Sequence, residues 1–300
     1  MTEKKRVIAL GFFDGVHLGH GTLMTTTVQR ASELNAEPAV VSFDTHPDSL
    51  VKGEAVPLIN SAADRQEVIS RLFGIESVFL VHFDQAMMQT PWQNFAEYLR
   101  DGLNAVHLVV GHDFRFGYRG EGTTERLSVF CAENGMGIDV IPKVEFDGLT
   151  VSSTYIRRML QEGEMERANA FLGHPYSLTD IVRKGFQLGR TINAPTINQR
   201  FAPGVLEPRY GVYATKAHFE GNVYMAVTNI GVRPTVSGSK AVSVESFILD
   251  FSGDLYGKEV RLDFYSFLRP EIRFENTDQL RDQIASDAER VREYFRTIEA

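Results

Sequence analysis

Val7-Ile8-Ala9-Leu10-Gly11-Phe12-Phe13-Asp14-Gly15-Val16-His17-Leu18-Gly19-His20 decides how the rest of the chain is read. An apolar run with no polar alternation reads as a strand covered on both faces. Asp14-Gly15 reads as a tight turn, and a helix-like stretch follows from Leu18 to about Leu34. His17 and His20 are three positions apart, so their rings share one helical face. A helix start offers free N–H groups and a partial positive charge to a polyphosphate. Two imidazoles there suit stabilisation of a phosphate under attack, as in nucleotidyl transfer. Capping or packing histidines are the plainer alternative.

Working outward, strands and helices alternate through the first half. Strands are expected at 39–43, 77–81, 106–110 and 138–141, and helices at 64–73, 91–103 and 125–135. That rhythm implies an α/β fold with a parallel sheet and right-handed crossovers. Such sheets bind ligands beyond the carboxyl ends of their strands. The His17 segment, Asp44-Thr45-His46-Pro47 and Gly111-His112-Asp113-Phe114 all follow strands, so one site assembled from three loops is expected. Near residue 175 the pattern changes. Short strands at 210–217, 222–230, 242–251 and 259–267, with turns at Gly221-Asn222 and Ser252-Gly253-Asp254, read as a small antiparallel β-barrel. An amphipathic C-terminal helix follows over 277–298, and Tyr155–Leu172 between the halves reads as helical, broken at Gly163. The expected domains are 1–172 and 174–300.

A chain of 300 residues with 43% hydrophobic residues has enough material for two such cores. The net charge of −8 argues against a nucleic-acid partner, which needs a basic face. No run of about 20 apolar residues exists, so no membrane span is expected. Cys131 is the single cysteine, which excludes an internal disulfide, fits an inert helix residue and suits a reducing cytoplasm.

Eight segments in fixed order resemble the bacterial bifunctional riboflavin kinase/FMN adenylyltransferase family. They are 10–20, 42–47, 111–117 and 151–157 in the first half, and 188–191, 195–198, 228–235 and 249–258 in the second. The resemblance covers nearly the whole chain. It implies a Rossmann-like nucleotidyltransferase domain followed by a riboflavin kinase-like barrel. The barrel would move the γ-phosphate of ATP to riboflavin, giving FMN. The α/β domain would join FMN to AMP from a second ATP, giving FAD and pyrophosphate, with Mg²⁺ needed in both steps. Small-molecule substrates are the expected partners, and oligomeric state is left open.

The same resemblance, carried residue by residue, gives the candidate site. His17, His20 and Arg157 are expected at the phosphates in adenylylation. Gly11, Phe12, Asp14, Gly15, Gly19, Ser152, Ser153 and Thr154 are expected at ATP in the first half, and Gly189 and Arg190 in the second. His46, Asp113, Arg115 and Arg269 are expected at the flavin. Read on their own terms, Ser152-Ser153-Thr154 and Arg157 form a helix-start anion cradle or an ordinary cap with a surface arginine. Asp113 and Arg115 read equally as a turn aspartate and a solvated arginine. His46 before Pro47 fits a ligand contact or a structural turn. Thr196 and Asn198, two apart in an extended segment, present hard oxygens suited to Mg²⁺, or form a polar turn. Glu245, the family's candidate base for the riboflavin hydroxyl, stands in an apolar strand whose facing periodicity alone leaves open.

The kinase half departs from the family's pattern. Lys184-Gly185 stands where His-Gly is usual, and Asn193-Ala194 where Gly-Phe is usual. In the first half, Tyr155 occupies a position often held by arginine. These departures keep two alternatives open: one active half beside a degenerate one, and a flavin- or nucleotide-binding regulator without turnover.

Overall fold

The computed structural model describes residues 4–184, 195–234 and 240–299. Gly189 and Arg190, with the Asn193-Ala194 departure, lie outside the described residues. Two compact units divide the chain, Met1–Ser153 and Thr154–Ala300.

The first unit opens with β1 (Arg6–Leu10), α1 (Leu18–Glu33), β2 (Glu37–Phe43), α2 (Pro47–Lys52), α3 (Ala62–Phe73) and β3 (Ser77–Val81). It continues with α4 (Gln85–Met88), α5 (Trp92–Glu97), β4 (Ala105–Gly111), α6 (Thr124–Glu133), β5 (Gly137–Ile141) and a small hairpin, β6 (Glu145–Phe146) and β7 (Leu149–Thr150). The five-stranded sheet runs in the order β3-β2-β1-β4-β5, and every pairing is parallel. Successive residues of β1 pack into different cores, Ile8 and Leu10 on one face and Val7 and Ala9 on the other. Covering on both faces explains why the strand reads as unbroken apolar sequence. The expected helix over 91–103 is α5 followed by a wide turn of π geometry over Tyr98–Gly102.

The second unit begins with α7 (Ser153–Glu162, its first residue in the first unit) and α8 (Met165–Leu172), separated at Gly163, where φ is +82° and glycine avoids strain. Then come β8 (Tyr176–Ile181), β9 (Thr196–Gln199), β10 (Gly211–Phe219), β11 (Asn222–Pro234), β12 (Lys240–Ile248), β13 (Glu259–Arg269) and α9 (Thr277–Ile298). The helices α7 and α8 were expected to close the first half, yet they pack here. Asn169 of α8 donates to Phe264 O at 2.7 Å and accepts from Tyr176 N at 2.8 Å, and Arg209 N donates to Leu160 O at 3.0 Å.

The antiparallel sheet runs β8-β13-β10-β11-β12-β9. Its two edges meet: Arg183 N donates to Asn198 O at 2.8 Å, and the Gln199 amide donates to Asp180 O and Val260 O. The sheet therefore curls into the expected barrel. Thr215, Thr228 and Ser246, all fully buried, form a hydroxyl ladder with oxygens 2.7 Å apart across β10, β11 and β12. On the opposite face Val212, Ala214 and Val227 pack with Val291 and Phe295 of α9.

Arg269, expected at the flavin, takes part in this packing. Its guanidinium makes three contacts of 2.7–3.1 Å to the buried carboxylate of Asp287 on α9, and donates to Pro270 O at 3.0 Å. Removing one partner strands the other charge in a site short of water. Asp287→Ala is expected to destabilise the C-terminal unit by about 3–5 kcal/mol, read as a lower urea midpoint for the barrel. A midpoint equal to that of the wild-type chain would show the pair to be idle.

Candidate active site

The turn after β1 is built around a buried carboxylate. Asp14 is 2% exposed, and its Oδ1 accepts from the backbone N–H groups of Ile59 at 2.8 Å and Asn60 at 3.3 Å. Phe13 and Val16 have positive φ, 58° and 45°, around Gly15 at 80°. Such backbone is costly for residues with a Cβ and persists only where its surroundings enforce it. Ser153 Oγ donates to Asp14 O at 2.9 Å, so the 152–153 loop is tied to the same turn. Asp14 and Gly15, expected at ATP, thus stand behind the site as its frame.

In front of that frame is a cleft of about 560 Å³. It is lined by Gly11 and Phe12 at the end of β1, His17, Gly19 and His20 at the start of α1, and His46 after β2. Asp113 and Arg115 after β4, and Ser152 and Ser153, complete the set of expected residues. The loops do converge beyond the strand ends. Thr154, exposed, and Arg157, half-buried and engaged, are described with the second unit.

His17 caps α1: its Nδ1 accepts from His20 N at 3.3 Å, and the rings stack with centroids 3.5 Å apart. The capping alternative is therefore met, and the cap uses only one of the two ring nitrogens. His20 meets the edge of Phe13 at 5.2 Å, and its Nδ1 is buried with no hydrogen-bond partner among the described residues. Burial, His17 and Arg65, in that order, hold the His20 ring well below the usual histidine range. His46 likewise caps α2, its Nδ1 accepting from Asp48 N at 3.2 Å, while its ring lies 4.6 Å from that of Phe12.

Sequence reasoning missed two cations here. Lys143 lines the cleft just beyond β5, where the strand-end rule finds it. Arg65 lies within an ordinary amphipathic helix pattern, and nothing in that pattern marks it as fully buried.

In the barrel, Val244, Ser246 and Ile248 face the interior, and Glu245 shares the opposite face with Phe247. Glu245 is half-buried and in register with Asn198 of β9 on one side and Asn229 of β11 on the other. Thr196, also in β9, lines a separate cavity of about 60 Å³ with Pro195, Phe251, Asp254 and Tyr256. Lys184, at one departure from the family pattern, lies 6.0 Å from the Tyr256 ring.

The family models match in the order expected: FAD synthetase over residues 1–155 and riboflavin kinase over 172–295. The bifunctional riboflavin kinase/FMN adenylyltransferase of Listeria monocytogenes is 34% identical, over 99% of this chain and 95% of the relative. Those of Bacillus subtilis and Escherichia coli are 35% and 33% identical, covering 99% and 96% of this chain and 94% and 92% of their own. The chain belongs to this family. The crystal structure of a macrolide-efflux protein from Streptococcus pneumoniae superposes with a TM-score of 0.83 at 29% identity, over 97% of this chain and 95% of that one. Among the described residues no helix is long and apolar enough to cross a membrane.

Two outcomes follow from this geometry. Asp14→Ala leaves two buried N–H groups without their acceptor and is expected to cost about 1–3 kcal/mol, read by urea unfolding of the N-terminal unit. The depressed His20 titration also has a sign. Below the ordinary value of 6.5 the unfolded chain binds a proton that the folded chain refuses. His20 therefore contributes stability above that pH and loses it as pH falls toward the folded value. His20→Gln is expected to flatten this part of the stability–pH curve, and an unchanged slope would place the proton elsewhere.

Proposed function

We propose that the chain makes FMN from riboflavin and ATP in its barrel half and FAD from FMN and a second ATP in its α/β half. The carrying observation is the cleft in which His17, His20, His46, Asp113, Arg115 and Ser152 converge from separate strand ends. Adenylyl transfer needs no protein nucleophile when a phosphate oxygen of FMN attacks the α-phosphorus of ATP and pyrophosphate leaves. The protein then contributes position and charge neutralisation. In this reading the ATP phosphates lie against His17, His20 and Ser152, with Arg157 as a further cation, and Gly11, Gly19 and Ser153 leave the backbone approachable. His46, Asp113 and Arg115 hold the flavin substrate. By sequence, residues 1–172 carry this step and 174–300 the kinase step, with α7 and α8 belonging by packing to the second unit.

For the kinase step Glu245 receives the proton of the riboflavin 5′-hydroxyl. Thr196 and Asn198 would hold Mg²⁺, which would neutralise phosphate charge. Their oxygens are hard donors, and Asn198 is the cross-strand neighbour of Glu245. Among the described residues no cluster of three or more His, Cys, Asp or Glu is arranged for a metal. Mg²⁺ usually keeps few protein ligands and shares its shell with phosphate and water. Burial pushes the Cys131 thiol up to about 11, which supports an inert cysteine; a cytoplasmic location is part of the same proposal.

Purified protein with riboflavin, ATP and Mg²⁺, sampled over time, is expected to yield FMN and then FAD. FMN alone or no product would favour the one-active-half or regulator alternative. His20→Ala is expected to abolish FAD formation from FMN while leaving FMN formation from riboflavin, and equal loss of both in a folded variant would sink the two-site scheme. Glu245→Gln is expected to lower kinase turnover about 10²-fold, the lower end for loss of a general base, because positioning supplies much of phosphoryl transfer. A change below about twofold, within what an idle surface strand residue gives, would remove Glu245 from the mechanism.

A further inference from the structure

Arg65 is the buried charge that the scheme above does not use. It is fully buried in α3, and its Nη2 donates to Phe43 O, the last carbonyl of β2, at 2.6 Å. Its guanidinium lies 4.4 Å from the centre of the Phe12 ring, and Phe12 in turn packs on His46. Nε and Nη1 have no hydrogen-bond partner among the described residues. A buried cation with two unpaired donors costs stability, so its presence calls for a role beyond packing.

We propose that Arg65 is a positioning residue for adenylyl transfer, acting through Phe12 without touching substrate. Its contacts carry this role, and its electrostatic surroundings support it. Arg65 links the ends of adjacent strands, because Phe12 follows β1 and Phe43 closes β2. Ser42 Oγ fixes the same corner by donating to Phe12 O at 2.8 Å. The stack of guanidinium, Phe12 ring and His46 ring is thus one wall of the cleft, set from behind by a flat cation that a flexible ammonium cannot copy.

The supporting part is electrostatic. The charged groups facing His20 are His17 from the start of α1 and Arg65 from α3, and both oppose its protonation. The groups facing Arg65 are Asp14 of the turn and Asp44 after β2; they favour its charge, while burial lowers its pKa to about 10. Arg65 therefore stays charged at neutral pH, and His20 stays neutral until an anion arrives in the cleft. A polyphosphate beside His17 and His20 would offset that repulsion, so the pair is poised to gain positive character only when substrate is bound. The inference rests on the adenylylation reading for its reaction, and on the Phe12 stack and the bond to Phe43 O for the place of Arg65.

The test uses the full-length chain. The His20 ring signal, assigned with His20→Gln, is followed by NMR through a pH titration. Affinities for FMN and for ATP are measured by calorimetry, and adenylylation kcat and KM alongside. In Arg65→Met the His20 midpoint is expected to rise by about one pH unit, because a neighbouring cation has gone. In Arg65→Lys the midpoint is expected to stay, while affinity for at least one substrate weakens about tenfold, because the stack and the bond to Phe43 O are lost. That weakening is expected to vanish in a Phe12→Leu background, as a double-mutant cycle requires of coupled residues. An unmoved midpoint in Arg65→Met overturns the electrostatic part. Wild-type affinities in Arg65→Lys, or a loss that persists without Phe12, overturn the positioning part. If Arg65→Met does not fold, the Lys variant and its cycle decide. A wild-type chain that makes no FAD would refute the reaction assigned to the cleft, and the titration and affinities would still judge Arg65.

Discussion

Everything in the α/β half depends on β1 lying between β2 and β4. The chain first builds outward through β2 and β3, then returns to the other side of β1 for β4 and β5. At that reversal the two connections leave in opposite directions, and no helix covers the strand ends between them. The crevice is therefore fixed by strand order before any side chain is chosen. The residues there follow β1, β2, β4 and β5, joined by the 150–153 segment. Asp14 converts this topological opening into a defined site, because one buried carboxylate holds the 59–60 backbone against a turn with left-handed residues.

What the sequence made legible follows from what is local. The strand–turn–helix order around His17, the C-terminal helix and the barrel strands are encoded by periodicity, and the structure has them. The π-type turn at Tyr98–Gly102 has no periodic signature, so the helix reads longer than α5 is. Arg269 is placed at the flavin by resemblance alone, and its pairing with Asp287, 18 residues away on another element, has no local signature. Arg65 was invisible for the converse reason. A charge in an amphipathic helix reads as solvated, and only the tertiary fold sets it beneath Phe12.

Glu245 illustrates why facing is hard to read. In a half-open sheet, alternation tells core from solvent; in a barrel flanked by a helix, both faces carry apolar residues. Ser246 is polar and yet belongs to the interior, where the Thr215–Thr228–Ser246 ladder satisfies its hydroxyl. Phe247 is aromatic and yet lies on the outer face, beneath α9. Polarity alone therefore assigns the two neighbours of this stretch to the wrong sides, and the register with Asn198 and Asn229 gives Glu245 its company.

The chain carries a net charge of −8 and takes anionic substrates, so its sites must attract phosphate locally against the whole. In the cleft this is done with Arg115 and Lys143 and with groups whose charge is conditional. Helix-start amides carry only partial charge, and His20 is held well below the usual histidine range by burial, His17 and Arg65. Arg65, the fully buried permanent cation, is screened from the cleft by the Phe12 ring. A His20 ring that gained positive charge only against a bound polyphosphate would strengthen the hold as charge accumulates at the reacting phosphorus, and weaken it when the charged leaving group departs. Differential stabilisation of that kind is what a reaction without a protein nucleophile requires.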